Sequence, residues 1–182
     1  VAFDCVETPF GKRDDILGGS VSYLGTSASY FTSVRMMSVI GEDFPQGILD
    51  FFEQRDIDAS GVKRIPGETF RWRGRYTENL NEAQTLETQL NVLTDFDPQV
   101  PKAFLDSDYL VLGNISPDLQ LNVLEQVKGA KLVACDTMNF WIEGALEDLK
   151  KTLKKVNLLS INDGEARMLS GEHNLVKAAK AI

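Results

Sequence analysis

Apolar residues recur along the chain at two different periods. Val21, Leu24, Ala28 and Phe31 follow one another at spacings of three, four and three, the stripe of an amphipathic helix, with Ser20 placed to cap it. Ahead of that stripe, the apolar run from Val1 to Phe3 ends at Asp4 and reads as a strand that delivers a carboxylate at its C-terminal end. The segment 7–15 is polar and turn-rich, and Gly18-Gly19 make the turn into the helix. Residues 34–40 predict a strand, Gly41-Glu42-Asp43 a turn, and residues 44–54 a helix that buries Ile48, Phe51 and Phe52. Strand, glycine turn and helix in alternation point to a layered α/β sheet.

The period changes in the middle of the chain. Phe70, Trp72, Gly74 and Tyr76 alternate with Arg71, Arg73, Arg75 and Thr77, as in a strand with two unlike faces. A weaker alternation over 83–90 predicts a second strand, joined to the first by a turn around Asn79 to Asn81, so that the pair projects from the main sheet. After the loop Asp95-Phe96-Asp97-Pro98 the α/β order returns, with strands at 109–112, 131–135 and 158–161 and helices at 117–127, 142–153 and 164–170. Asn114, Asp136 and Asn162 follow these strands, and together with Asp4 they are expected on one rim. Ligands of open parallel sheets bind outside such carboxyl ends.

Composition narrows the classes. The 182 residues, 43% apolar and 25% charged, suit one globular domain, and no stretch approaches the ~20 consecutive apolar residues of a membrane helix. Nineteen Lys and Arg against 27 Asp and Glu give a net charge of −8, which argues against a partner held by phosphate contacts, such as a nucleic acid. Arg71, Arg73 and Arg75 are the local exception. Cys5 and Cys135 stand far apart without a Cys-x-x-Cys, so neither a disulfide framework nor a zinc knuckle is expected, and a reducing, cytoplasmic setting fits. The chain opens on Val1 and closes at Ile182 within a helical pattern that has no C-cap glycine, so it is read as a piece of a larger protein.

The polar residues offer several chemistries. Gly18-Gly19 before a helix lets a ligand approach free amides, or serves only as a tight turn. Asp4 can accept two hydrogen bonds from vicinal hydroxyls, or cap a turn. Asn162 and Glu165, three apart at a strand-to-helix junction, suit a hydrated Mg²⁺ that takes few direct protein ligands, or a capping box; spacing alone does not separate the two. The Trp72 and Tyr76 face can stack on a sugar ring or pack against protein, and packing is the plainer reading. His173, the sole histidine, falls in a loop and is expected at the surface, which leaves no base for a Ser-His-Asp or Cys-His arrangement.

The order of these pieces resembles the N-terminal part of the ribokinase-like, or PfkB, family of carbohydrate and nucleoside kinases. The resemblance rests on a strand ending in Asp4, Gly18-Gly19 before a helix, Val39-Ile40-Gly41-Glu42-Asp43 with Gly47, and the stretch from Asp58 to Val62. It continues through Cys135-Asp136 with Asn139 and through Ile161-Asn162-Asp163-Gly164-Glu165-Ala166 to Leu169-Ser170-Gly171, and so covers nearly all of the chain.

The resemblance implies a Rossmann-like three-layer α/β sandwich with a mostly parallel sheet and a small β lid drawn from about 5–17 and 67–93. It implies transfer of the ATP γ-phosphoryl group to a sugar hydroxyl, with nucleosides as the alternative acceptor. Asp4, Gly18, Gly19, Asn114 and Asp136 would bind the acceptor, and Asn162 with Glu165 would organise Mg²⁺ and the nucleotide phosphates, Glu165 facing the metal through water. The family's catalytic aspartate, in a Gly-Ala-Gly-Asp type turn, would lie beyond Ile182, so the chain by itself is expected to be inactive. Phe140 and Trp141 stand where many sugar-acid kinases of the family carry Arg, which leaves room for an aromatic or nucleoside-like acceptor. A homodimer through the lid is expected from its aromatic face. A non-catalytic sugar-binding relative is the competing class, whereas a dinucleotide-binding domain is excluded because Gly18-Gly19 lacks the Gly-x-Gly-x-x-Gly pattern.

Overall fold

The computed structural model describes residues 1–78, 80 and 83–182, and the chain falls into two compact units, Val1–Asp97 and Pro98–Ile182. The expected turn around Asn79 to Asn81 lies outside the described residues, apart from Leu80. The fold is mixed α/β with mostly parallel strand pairing.

In the first unit, β1 (Ala2–Thr8), β2 (Gly11–Gly18), β5 (Arg71–Tyr76) and β6 (Ala83–Gln89) form a four-stranded sheet in the order β2-β1-β5-β6. The polar stretch taken for a turn-rich segment is therefore the second arm of a hairpin. Its charged residues suit a sheet with solvated surface, where alternation carries little apolar signal. β1 does not stop at Asp4 but runs four residues past it, so Asp4 sits inside a strand rather than at its end.

A separate parallel pair, β3 (Val34–Ile40) and β4 (Ile57–Arg64), is connected by α2 (Gln46–Glu53). Beneath it lie Phe3, Ile40 and Phe44, and next to them Met36, Phe52 and Ile57, with Leu17, Ile48, Leu49 and Val62 packed around both groups. Each such side chain contributes about 1.5–3 kcal/mol when fully buried. Two expectations are corrected. Phe51 is exposed at the edge of Phe52 with the Arg55 guanidinium 4.6 Å above its ring. Helix α1 (Ser20–Ala28) turns Ser22 and Gly25 inward, while Leu24 and Phe31, the latter 87% accessible, face out. The reason is close approach: a Cβ on Gly25 would stand 2.9 Å from Met36 Cε, so this helix meets β3 along its small residues.

In the second unit, β7 (Tyr109–Leu112), β8 (Leu132–Asp136) and β9 (Leu158–Ser160) form a parallel three-stranded sheet, linked by helices as βαβ units require. Leu112, Val133 and Cys135 are buried against Val123 and Leu124 of α3 (Pro117–Gln126). The helix expected over 142–153 is two helices, α4 (Asn139–Gly144) and α5 (Leu146–Leu153), broken at Ala145, whose φ of −142° is not helical. Buried Thr152 donates from Oγ1 to the Pro117 carbonyl at 2.9 Å and ties α5 to the start of α3. Helices α6 (Asp163–Ser170) and α7 (Leu175–Ala181) complete the unit. Among the described residues no helix is long and apolar enough to cross a membrane.

Candidate functional site

Asp4 is held on three sides by backbone. Ile16 of β2 stands opposite it in antiparallel register and Trp72 of β5 in parallel register, and a bulge between Asp4 and Val6 bends the strand just beyond. Gly18, the last residue of β2, leaves the space that the Asp4 carboxylate fills, because a Cβ there would collide with the carboxylate. Burial pushes the Asp4 pKa up to about 6, so near neutrality the group is an acceptor with unmet hydrogen-bonding capacity.

Gly19, not Ser20, is the N-cap of α1, with φ 85° and ψ 135°. A side chain at that φ is strained, and a Cβ would press to 3.0 Å from Ala2 N. As a glycine it brings no side-chain cap, and in the first turn of α1 the Ser22 amide is taken by the Gly19 carbonyl at 3.1 Å. Ser22 secures the turn by donating from Oγ to the Gly18 carbonyl at 2.9 Å.

A polar tie that the sequence reading missed braces the same unit. Asp43 Oδ1 accepts from Thr69 N at 2.8 Å and Thr69 Oγ1 at 2.7 Å, while Oδ2 accepts from Arg71 Nη2 at 3.0 Å. Thr69 Oγ1 in turn accepts from Gly41 N at 3.0 Å. Arg71 also pairs with Asp15 of β2 and lies 5.0 Å over the Phe3 ring. Desolvation works against ionisation of Asp43, but the hydrogen bonds from Thr69 and Arg71 outweigh it and hold the carboxyl below its usual range. The turn after β3 is thereby fastened to β5 and β2, the strands beside Asp4. The signal was present as Gly41-x-Asp43, but its partners lie 26 residues or more along the chain.

In the second unit, Asn114 and Asn162 follow β7 and β9 and Asp136 is the last residue of β8 between them, so the three share the C-terminal edge of the parallel sheet. Asp4 belongs to another sheet, so the expected single rim of four strand ends is not what the sheets form. Gln120, 1% accessible, stitches that edge from below: its Nε2 donates to the carbonyls of Gly113 and Asp136, at 2.9 and 3.0 Å. Asn114 Oδ1 accepts from Trp141 Nε1 at 2.9 Å, which joins two of the sequence candidates for acceptor recognition. Cys135 is buried beneath Asp136, and burial pushes its thiol up to about 12. His173 is exposed, and only its carbonyl is engaged, by Arg167 Nε at 3.0 Å.

Asn162 and Glu165 form a capping box at the start of α6. Asn162 Oδ1 accepts from Glu165 N at 2.8 Å and Glu165 Oε2 accepts from Asn162 N at 2.9 Å. Burial raises the Glu165 pKa against these hydrogen bonds. Among the described residues no group of three or more His, Cys, Asp and Glu is gathered as a metal cage. The donor set still fits Mg²⁺, which keeps most of its waters and needs only one or two carboxylates; since the cap already engages one oxygen of each residue, the fit is through water.

The profile of the pfkB family carbohydrate kinases matches residues 21–182. The chain is 27% identical over 186 residues to a cytidine kinase of Thermococcus kodakarensis, covering 100% of this chain and 66% of that protein. By structure it is similar to an Anopheles gambiae adenosine kinase (TM-score 0.75, 15% identity, 97% of this chain and 70% of that one). It is also similar to a Burkholderia thailandensis nucleoside kinase solved in complex with inosine (TM-score 0.73, 14% identity, 100% and 65%). These structural likenesses concern the fold. The chain spans about two thirds of the length of the cytidine kinase and of the Burkholderia enzyme.

Proposed function

The chain belongs to the pfkB family of carbohydrate kinases, and from that premise we propose that it is the acceptor-binding part of an ATP-dependent nucleoside kinase. The observation that carries the choice of acceptor is the match of the whole chain to a cytidine kinase. The fold likeness to an adenosine kinase and to a nucleoside kinase agrees with it. A free sugar, the acceptor expected first from the sequence, has behind it the family's general description and a fold likeness to a putative ribokinase and a putative sugar kinase.

In this reading the four-stranded sheet is the lid, and Asp4 takes the vicinal hydroxyls of the ribose. A carboxylate offers two oxygens to a diol, and in a buried position an acceptor lacking those hydroxyls leaves the charge unpaired. Gly18 and Gly19 let the sugar approach the amides of α1. Asn114 and Asp136 are the second unit's polar groups for acceptor recognition, the former oriented by Trp141. Asn162 and Glu165 hold Mg²⁺ through water. The bound metal supplies charge neutralisation on the nucleotide phosphates. Phosphoryl transfer rests on positioning and electrostatic stabilisation, so burial and fixed hydrogen bonds are what these residues contribute. In this reading none of these residues is assigned the role of the base that takes the acceptor's proton.

The test is an ATP-consumption assay of the full-length protein over nucleosides, pentoses, hexoses and sugar acids, with phosphorylated products identified by mass. Nucleoside monophosphates are expected; turnover of a free sugar with every nucleoside untouched would overturn the reading.

A further inference from the structure

Asn114 and Asp136, the second unit's residues for acceptor recognition, stand at the ends of neighbouring strands, and sheet pairing does not hold them to one another. The parallel register of β7 and β8 ends at Leu112 with Cys135, so the peptides of Gly113 and Asp136 lie past its last pair. Gln120, in the helix α3 that connects the two strands, closes this gap. Its Nε2 donates to the Gly113 carbonyl at 2.9 Å and to the Asp136 carbonyl at 3.0 Å. A primary amide nitrogen carries two hydrogens, and these two carbonyls take both. The side chain therefore adds one rung where the backbone ladder has stopped.

The surroundings make that rung hard to replace. Gln120 is 1% accessible, so water is not at hand to take over its bonds. An apolar side chain of the same length would leave the Gly113 carbonyl without this donor and the Asp136 carbonyl with only a weak one, the Cys135 thiol at 3.2 Å. An ionised carboxylate would set oxygen against oxygen. The helix that carries the amide is itself fixed: Gln120 N donates to the Ser116 carbonyl at 3.1 Å, and Thr152 Oγ1 holds the Pro117 carbonyl at 2.9 Å. Asn114 is thus placed twice, by Gln120 through the carbonyl of its neighbour Gly113 and by Trp141 Nε1 through its own side chain.

We propose that Gln120 is a positioning residue of the acceptor site: it sets the separation of Asn114 and Asp136, so acceptor affinity depends on a side chain that the acceptor does not touch. The proposal rests on the reading above, in which those two residues recognise the acceptor. A misplacement of ~1 Å caused by a change remote from the chemistry can cost ~10²-fold, which sets the scale available to one lost rung.

The experiment uses the full-length protein with cytidine and ATP. Gln120→Glu keeps the shape of the side chain and removes the amide donors. It is expected to raise KM for cytidine about tenfold while kcat stays within about threefold and KM for ATP within about twofold. In an Asn114→Ala background the same change should raise the cytidine KM no more than about threefold, because a group it positions is already gone. A residue that only supported the fold would lower the melting temperature, move both KM values together and cost the same in either background; that result would overturn the proposal while leaving the nucleoside reading intact. If Gln120→Glu does not fold, the wild type decides by NMR: the Gln120 side-chain amide signals should shift when cytidine binds, and signals that stay in place would overturn the proposal as well. Absence of nucleoside turnover in the wild type would instead remove the reading on which it rests.

Discussion

Gly18 exists for Asp4: the carboxylate of Asp4 occupies the space that a Cβ on residue 18 would take. Gly18→Ala therefore forces the carboxylate, the β2 end or both to move. Overpacking of this kind costs typically about 1–3 kcal/mol, so the melting temperature should fall. Acceptor KM should rise at least tenfold, because the displaced group is the proposed hydroxyl acceptor. Steady-state kinetics and thermal melts of the full-length variant check this, and an unchanged KM would separate Gly18 from acceptor binding.

The raised pKa of Asp4 makes two pH dependences of opposite sense. With a folded value of about 6 against an ordinary 3.8, the folded state holds more protons than the unfolded one between those values. This group's effect on stability is therefore most favourable below about pH 4 and worsens as pH rises through 6. The loss at neutral pH is on the order of 2 kcal/mol. Asp4→Asn should recover it and flatten that part of the stability profile. Acceptor binding runs the other way, since it uses the ionised form. KM should rise about tenfold per unit below pH 6 in the wild type and lose that dependence in Asp4→Asn.

Thr69, fully buried, ties Gly41 to Asp43 through one hydroxyl. Thr69→Val keeps the shape and removes the hydroxyl, leaving the Gly41 amide without its acceptor at a cost of about 1–3 kcal/mol. Thr69→Ser keeps the bonds and should melt close to wild type. Equal melting of the Val and Ser variants would show that the tie contributes nothing measurable.

For Asn162 and Glu165 the cap and the metal role part company in Glu165→Gln. The amide oxygen of Gln can still accept from Asn162 N, so stability should change by less than about 1 kcal/mol. The lost charge should move the Mg²⁺ concentration for half-maximal kcat several-fold upward. A lowered melting temperature with an unaltered metal titration would assign the pair to helix capping alone.

Much of this architecture was legible in the sequence, and the failures share a cause. The strands at 34–40 and 109–112 are short apolar runs flanked by turn residues, and they appear as expected. Asp4 was misplaced to a strand end because Glu7, Lys12, Arg13 and Asp14 look like loop. They are strand residues, Lys12, Arg13 and Asp14 on exposed positions where solvent accepts charge and Glu7 half-buried in its pair with Arg75. Of the stripe on α1, Val21 packs against the core while Leu24 and Phe31 face out, because apolar periodicity cannot show that the nearest approach belongs to Gly25. The capping box of Asn162 and Glu165, one of the two readings of that spacing, was legible because its partners are three residues apart. Thr69 and Gln120 act on residues brought near only by folding, and no local pattern marks them.

The account's central claim is the contact between Asp4 and the ribose diol, and a chemical double-mutant cycle tests it most directly. In the full-length protein, kcat/KM would be measured for cytidine and for its dideoxy analogue, which lacks both hydroxyls of the diol, in wild type and in Asp4→Ala. The account predicts that deleting the diol costs the wild type at least tenfold and costs Asp4→Ala far less, because the partner is already gone. The same loss in both proteins would contradict it.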